Sequence, residues 1–398
     1  MFDFDKVVDR RHSNAMAIDG YGPYLFAGQE PIQFPCPADE VISLWVADMA
    51  FESCPAAIDG ITKRLEHRVF GYSAVFEDEL YRSLAAWCER LYGWRPEQEH
   101  LVTARGVVPA LQDLVEYVLG PGECVMTLTP SYGMFARTAA HHGRDLVTVA
   151  MVKSGAGTYE IDFGAFERAA RRDDVKMFFL CHPQNPTGRV WTDEELVRMA
   201  EICLANDVLV ISDEIHCDLL RVGRTHTPLA KLLPDTDQIV TCMSVSKTFN
   251  LAGLGLATII IPNDELRTTW KERTPPLVNP LSLAGAVGVL ENGEPWRQAL
   301  LAYLDGNFAL VADAVAAEFP DSRFVIPDAT YLAWIDLSAG IDPGVNLTRF
   351  FAETAGVLIE GDDMFVADGA GHIRVNLACP RTVLSEGLSR LGAAAHAL

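Results

Sequence analysis

Residues 207–216 read DVLVISDEIH, and residues 238–254 read QIVTCMSVSKTFNLAGL. Each opens on an unbroken apolar run and then turns abruptly polar, at Asp213 in the first and at Ser244 to Lys247 in the second. Apolar runs of this length without alternation suit strands buried on both faces. Working outward, further runs stand at 123–128 (ECVMTL), 144–150 (RDLVTVA), 176–181 (KMFFLC) and 256–261 (LATIII). Amphipathic stretches such as 193–206 (DEELVRMAEICLAN) separate several of them. This alternation predicts an α/β fold, a mostly parallel sheet covered by helices on both faces. Ligands in such sheets bind beyond the carboxyl ends of the strands, so the residues that follow each run are the ones to inspect.

The chain has 398 residues, enough for two domains. Residues 1–48, with GYGPY and FPCP, read as an N-terminal arm that packs with the smaller domain. Residues 49–288 carry the alternating pattern and form the large domain. From 289 to 398 the character changes to a long helical stretch, short strands (YLAWIDL, HIRVNLA) and a last helix, a smaller α+β domain. A net charge of −22 speaks against nucleic acid or an anionic membrane as partner. No signal peptide is evident, and no apolar run approaches the ~20 residues of a membrane helix. The nine cysteines are scattered without a Cys-x-x-Cys pair, which predicts no metal site and a reducing, cytoplasmic setting.

Three polar residues follow three of the apolar runs. Lys247 closes a strand beside small hydroxyl residues, where desolvation would depress its pKa and yield a usable amine, although a lysine on a surface turn reads the same way. Asp213 ends a buried strand, where a carboxylate is costly unless a cation pairs with it, although it could equally cap a helix. Asn185 lies in HPQNPTGRVWTDEEL, a turn followed by a capping box from Thr192 to Glu195. Taken together, three polar groups after three strand ends read as one site.

Those residues sit in runs that resemble a known family: Asn185-Pro-Thr-Gly188, Ser212-Asp-Glu-Ile-His216, and Ser244-Val-Ser-Lys-Thr-Phe-Asn-Leu-Ala-Gly-Leu254. So do Trp45-Val-Ala-Asp48-Met49, Phe70-Gly-Tyr72, Gly106-Val-Val-Pro-Ala-Leu111, and Arg374-Val-Asn-Leu-Ala-Cys-Pro-Arg381. From about residue 40 to 382 the chain resembles fold-type I pyridoxal 5′-phosphate (PLP) enzymes of the aminotransferase class I/II superfamily, in the cystathionine β-lyase-like branch of C–S lyases. The resemblance implies a large domain with a mostly parallel seven-stranded sheet, and it implies roles. Lys247 would carry the cofactor as a Schiff base and move the Cα proton. Asp213 would pair with the pyridine nitrogen, Asn185 would donate to the ring oxygen and help bind substrate, and Tyr132 would stack on the ring. Gly106, Val107 and Val108 would cradle the phosphate at a helix N-terminus, with hydroxyls of Ser244 and Ser246. His216 would border the cofactor, and Arg374 would clamp the substrate α-carboxylate. Tyr72 would reach the phosphate and substrate of a neighbouring subunit, which implies a homodimer with shared active sites.

Against the family pattern, Gly255 stands where many aminotransferases of this fold have a phosphate-binding Arg, and His216 where they have Tyr. Ala50 and Gln184 stand where relatives have Asp and His. The resemblance implies β-elimination from L-cystathionine or another S-substituted L-cysteine. The alternatives are transamination, a specialised reaction on a cysteine S-conjugate of the lincosamide-pathway type, or a PLP-fold regulator.

Overall fold

The computed structural model of the chain describes residues 2–155, 157–319, 321–342 and 344–396. Its centre is a seven-stranded sheet. The strands in chain order are β1 (Leu101–Ala104), β2 (Cys124–Thr129), β3 (Leu146–Ala150), β4 (Val175–Cys181), β5 (Leu209–Asp213), β6 (Ile239–Met243) and β7 (Ala257–Ile260). Their spatial order is β1-β7-β6-β5-β4-β2-β3. Only β7 runs antiparallel to its neighbours. The mostly parallel, helix-covered sheet expected from the sequence is therefore present.

The inner strands β2 and β6 are buried at every position. Their unbroken apolar runs follow from that, because helices cover both faces of the sheet. β1 escaped the sequence reading. It is a four-residue edge strand, LVTA, with a single buried position and no apolar run to mark it. Helix α1 (Val107–Val118) follows β1, and helix α2 (Asp193–Leu204) follows β4. The capping box foreseen for α2 is formed in both directions, Thr192 accepting from the Glu195 N–H and Glu195 from the Thr192 N–H.

A second, three-stranded antiparallel sheet lies C-terminal to these elements. It comprises β8 (Leu332–Asp336), β9 (Glu360–Gly361) and β10 (His372–Asn376), with β10 in the middle. Helices α3 (Glu294–Glu318) and α4 (Arg381–Ala395) pack with it. In contrast to the sequence reading, α3 is long and apolar enough to cross a membrane by length and composition alone. Its Trp296, Leu300, Leu304, Phe308 and Val311 are buried in the main core, at the spacing of one helical face.

The N-terminal arm contains short helices at Met16–Asp19 and Tyr21–Leu25. Residues Ile42–Ser43 then pair in parallel with Val357–Leu358 beside the small sheet. The Asn376 amide donates to Val46 O at 2.7 Å and to Asp48 O at 2.6 Å. This tether brings residues 45–49 from the chain terminus to the strand ends of the large sheet.

Candidate active site

The carboxyl ends of β4, β5 and β6 lie side by side, and each delivers one of the three polar residues singled out above. Asp213 is the last residue of β5 and is 5% exposed. Its Oδ1 accepts the Ile215 N–H at 3.2 Å. Burial pushes its carboxyl up to about 7, so within the bare protein it lacks the cation that would hold it ionised. Asn185 lies in the turn after β4. Its Oδ1 accepts from Arg374 Nη1 at 3.1 Å, which aims the NH₂ end elsewhere. Lys247, four residues past β6, donates from Nζ to Ala47 O at 2.7 Å. Burial first, and the Arg374 charge second, lower its pKa to about 8. About a tenth of this amine is then neutral near pH 7, against about one part in a few thousand for an ordinary lysine, and a base or nucleophile must be neutral.

Arg374 comes from the three-stranded sheet. It sits in the middle of β10 and is 2% exposed. Beyond Asn185, its Nη2 donates to Trp45 O at 3.1 Å and to Glu360 on the neighbouring strand, while its Nε has no partner among the described residues. A buried guanidinium with a spare donor can receive a carboxylate.

Gly106 precedes α1 with φ 155° and ψ 167°, backbone that side-chain-bearing residues avoid, although a Cβ there would make only ordinary contact with Pro109. The N–H groups of Val107 and Val108 follow at the first turn of this 12-residue helix, an arrangement suited to a phosphate. Tyr132 directly precedes the helix Gly133–His141, its ring edge-on to Phe135 with centroids 6.1 Å apart. His216 is buried with its ring edge to Tyr331 and its Nδ1 unpartnered, and burial lowers its pKa well below the usual range.

Two expected residues stand differently. Ser244 Oγ donates to Leu256 O at 2.7 Å and accepts the Ser246 N–H at 3.1 Å, so its single proton is committed to the loop. Ser246 keeps its hydroxyl free of protein partners among the described residues. Tyr72 is 95% exposed and forms no hydrogen bond or ring contact with the other site residues. One chain by itself does not bring it to the site.

The structure also explains two departures from the family pattern. Gly255 has φ +61°, and a Cβ there would meet Arg105 O at 3.1 Å, so a side chain at this position would be strained. Gln184 is buried and donates to Pro130 O at 2.9 Å, tying the turn after β4 to the loop that carries Tyr132.

Sequence reasoning missed Glu360, Tyr331 and the Ala47 carbonyl. Tyr331 Oη donates to the same Ala47 O that receives Lys247, at 2.8 Å. A carboxylate closing the apolar run Val357-Leu-Ile-Glu360 was a usable signal. The carbonyl had none, since backbone acceptors carry no side-chain mark.

The family model for aminotransferase class I and II matches residues 39–391. Cystathionine beta-lyase PatB of Bacillus subtilis is 32% identical over 360 residues, covering 89% of this chain and 92% of that one. Protein MalY of Escherichia coli is 33% identical, covering 98% of each. The solved PLP-bound C–S lyase of Staphylococcus hominis, in complex with L-cycloserine, superposes with a TM-score of 0.96 at 41% identity, covering 99% of this chain and 98% of that one. The residues present here fit that cofactor. A buried carboxylate without a cation, an amine of lowered pKa, an amide with a free NH₂ end and a glycine-led helix N-terminus match its pyridine nitrogen, aldehyde, ring oxygen and phosphate in turn.

Proposed function

This chain belongs to the aminotransferase class I and II family, and within it we propose a PLP-dependent C–S β-lyase that cleaves L-cystathionine or another S-substituted L-cysteine to a thiol, pyruvate and ammonia. The observation that carries the reading is the convergence of Lys247, Asp213 and Asn185 from three adjacent strand ends with Arg374 from the small sheet. Base, cofactor anchor and carboxylate clamp then face one substrate.

When bound, PLP supplies an electron sink for the pair left at Cα. The chain's own residues do the rest. Asp213, buried at the end of β5, would pair with the pyridine nitrogen and favour its protonated form. Asn185 and Arg374, already bonded to each other, fix the substrate carboxylate and so orient the Cα–H bond. Lys247 would hold the cofactor through its amine and, when that amine is free, would take the Cα proton, for which its lowered pKa fits it. The sulfur then leaves Cβ with the C–S bonding pair. The enamine product tautomerises and adds water, giving pyruvate and ammonia.

The proposal extends to the assembly. Tyr72, Phe76, Phe70 and Val69 form an exposed apolar stretch, 95%, 88%, 54% and 59% exposed. A second copy of the chain would cover it and receive Tyr72 at its phosphate site, giving a homodimer with shared active sites. All nine cysteines are free thiols, which supports a cytosolic location.

Absorbance and product assays test the reading together. The holoenzyme should release pyruvate and thiol in equal amounts from L-cystathionine, and Lys247→Ala should lose both the visible band and the products. Conversion of the bound cofactor to its amine form without pyruvate would instead mark a transaminase.

A further inference from the structure

Arg374 already holds a carboxylate of the protein. Glu360 and Arg374 are register partners on the adjacent antiparallel strands β9 and β10, and their side chains form an ion pair. Both are buried, at 6% and 2% exposure. The substrate α-carboxylate, on the reading above, must come to the same guanidinium. Its Nη1 is engaged by Asn185, and its Nη2 by Trp45 O and Glu360. The Nε, buried and unpartnered among the described residues, and the second N–H of Nη1 are the donors left open.

Glu360 is poorly placed to swing away. The Gly361 N–H is held by Thr348 Oγ1 at 2.8 Å, and a Cβ on Gly361 would meet that same oxygen at 2.8 Å, so the strand is pinned from behind. The charged groups around it are Arg374, Lys247 and Arg137 on the positive side and Asp363 on the negative. Tyr24 and Tyr132 also sense its charge. Burial already pushes its carboxyl above the ordinary range, against the pull of Arg374. A second anion on one buried guanidinium favours neutralising one of the two, as in paired carboxylates that share a proton.

The geometry points to Glu360 as a resident carboxylate that shares Arg374 with the substrate, taking up a proton from solvent as the substrate carboxylate binds. Glu360 is thus a specificity-determining residue. It opposes anions near Arg374 and makes carboxylate affinity fall with rising pH. The inference rests on Arg374 being the carboxylate clamp of the proposed lyase.

The test uses the holoenzyme and propionate, a carboxylate with no amine to displace Lys247. Calorimetry in two buffers of different ionisation enthalpy reads the protons taken up. The wild type should take up close to one proton more than Glu360→Gln, and the variant should bind propionate about tenfold more tightly at pH 8, with a flatter pH dependence. Equal proton uptake and equal affinity in the two proteins would overturn the inference. Should Glu360→Gln fail to fold, Glu360→Ala serves in its place, and absence of proton uptake by the wild type is refutation enough. If pyruvate still forms from L-cystathionine in that event, the lyase reading stands without this part.

Discussion

Replacing Arg374 by Lys separates the clamp from its charge. Lysine keeps one positive point charge on β10 and can still reach Glu360, so the buried carboxylate is not stranded. What it loses is the planar fork that bonds Asn185, Trp45 O and an incoming carboxylate at once. A hydrogen bond to a charged group contributes about 1.5–3 kcal/mol, and between one and two of them disappear toward the substrate. The expected loss is about 2–4 kcal/mol, or about 30- to 1000-fold in kcat/KM at roughly 1.4 kcal/mol per decade. Because the carboxylate is bound alike in ground and transition states, most of that loss should fall on KM. Initial rates of pyruvate release over a range of L-cystathionine concentrations give both constants. A kcat/KM within threefold of wild type would refute the clamp, as would a fall in kcat at unchanged KM.

Other perturbations probe separate parts of the site. Gly106→Ala forces a side chain onto backbone at φ 155°, and strain of about 1–3 kcal/mol there should weaken PLP binding about 5- to 150-fold in equilibrium dialysis. Unchanged affinity would remove the phosphate cradle from that turn. Glu214 is fully buried, accepts from Ser212 and His226, and has its carboxyl raised by burial from 4.5 to about 7. A raised carboxyl contributes stability that is complete below its unfolded pKa and is lost as pH climbs through the folded one. Urea unfolding of the cofactor-free protein should therefore lose on the order of 3 kcal/mol between pH 4.5 and 7 from this group, and Glu214→Gln should be correspondingly flatter. Identical pH slopes in the two proteins would count against it. Finally, Tyr72→Ala and Lys247→Ala subunits, each nearly inactive alone, should recover about one quarter of wild-type activity when mixed and reassociated, because half the dimers then hold one intact site. No recovery would place Tyr72 outside the partner's site.

The legible parts of this protein were those in which one residue type has few physical reasons to stand where it does. Asp213 at the end of LVIS, Lys247 after IVTCM and Asn185 after VKMFFLC each put a polar group at the end of a buried strand, and all three meet in the structure. What Ser244 bonds to was not legible, because a hydroxyl near a site can satisfy the backbone as readily as a ligand, and its bond to Leu256 O depends on how the loop folds back 12 residues on. β1 was missed because an edge strand needs no continuous apolar run. The stretch that forms α3 was read as a long helix with no run apolar enough for a membrane, yet its length and composition alone pass that test while one face packs in the core.

By itself the sequence determined the α/β layering and the strand ends where polar residues collect, since each rests on local burial and on short-range motifs. Tertiary structure decided what those residues face. It set Glu360 opposite Arg374 across two strands whose register no local pattern encodes, and brought the Ala47 carbonyl to Lys247 over 200 residues of chain. The physical reason is the same in both cases. Burial and periodicity are written along the chain, whereas the neighbour that shares a charge or accepts a hydrogen bond is chosen by strand register and tertiary packing.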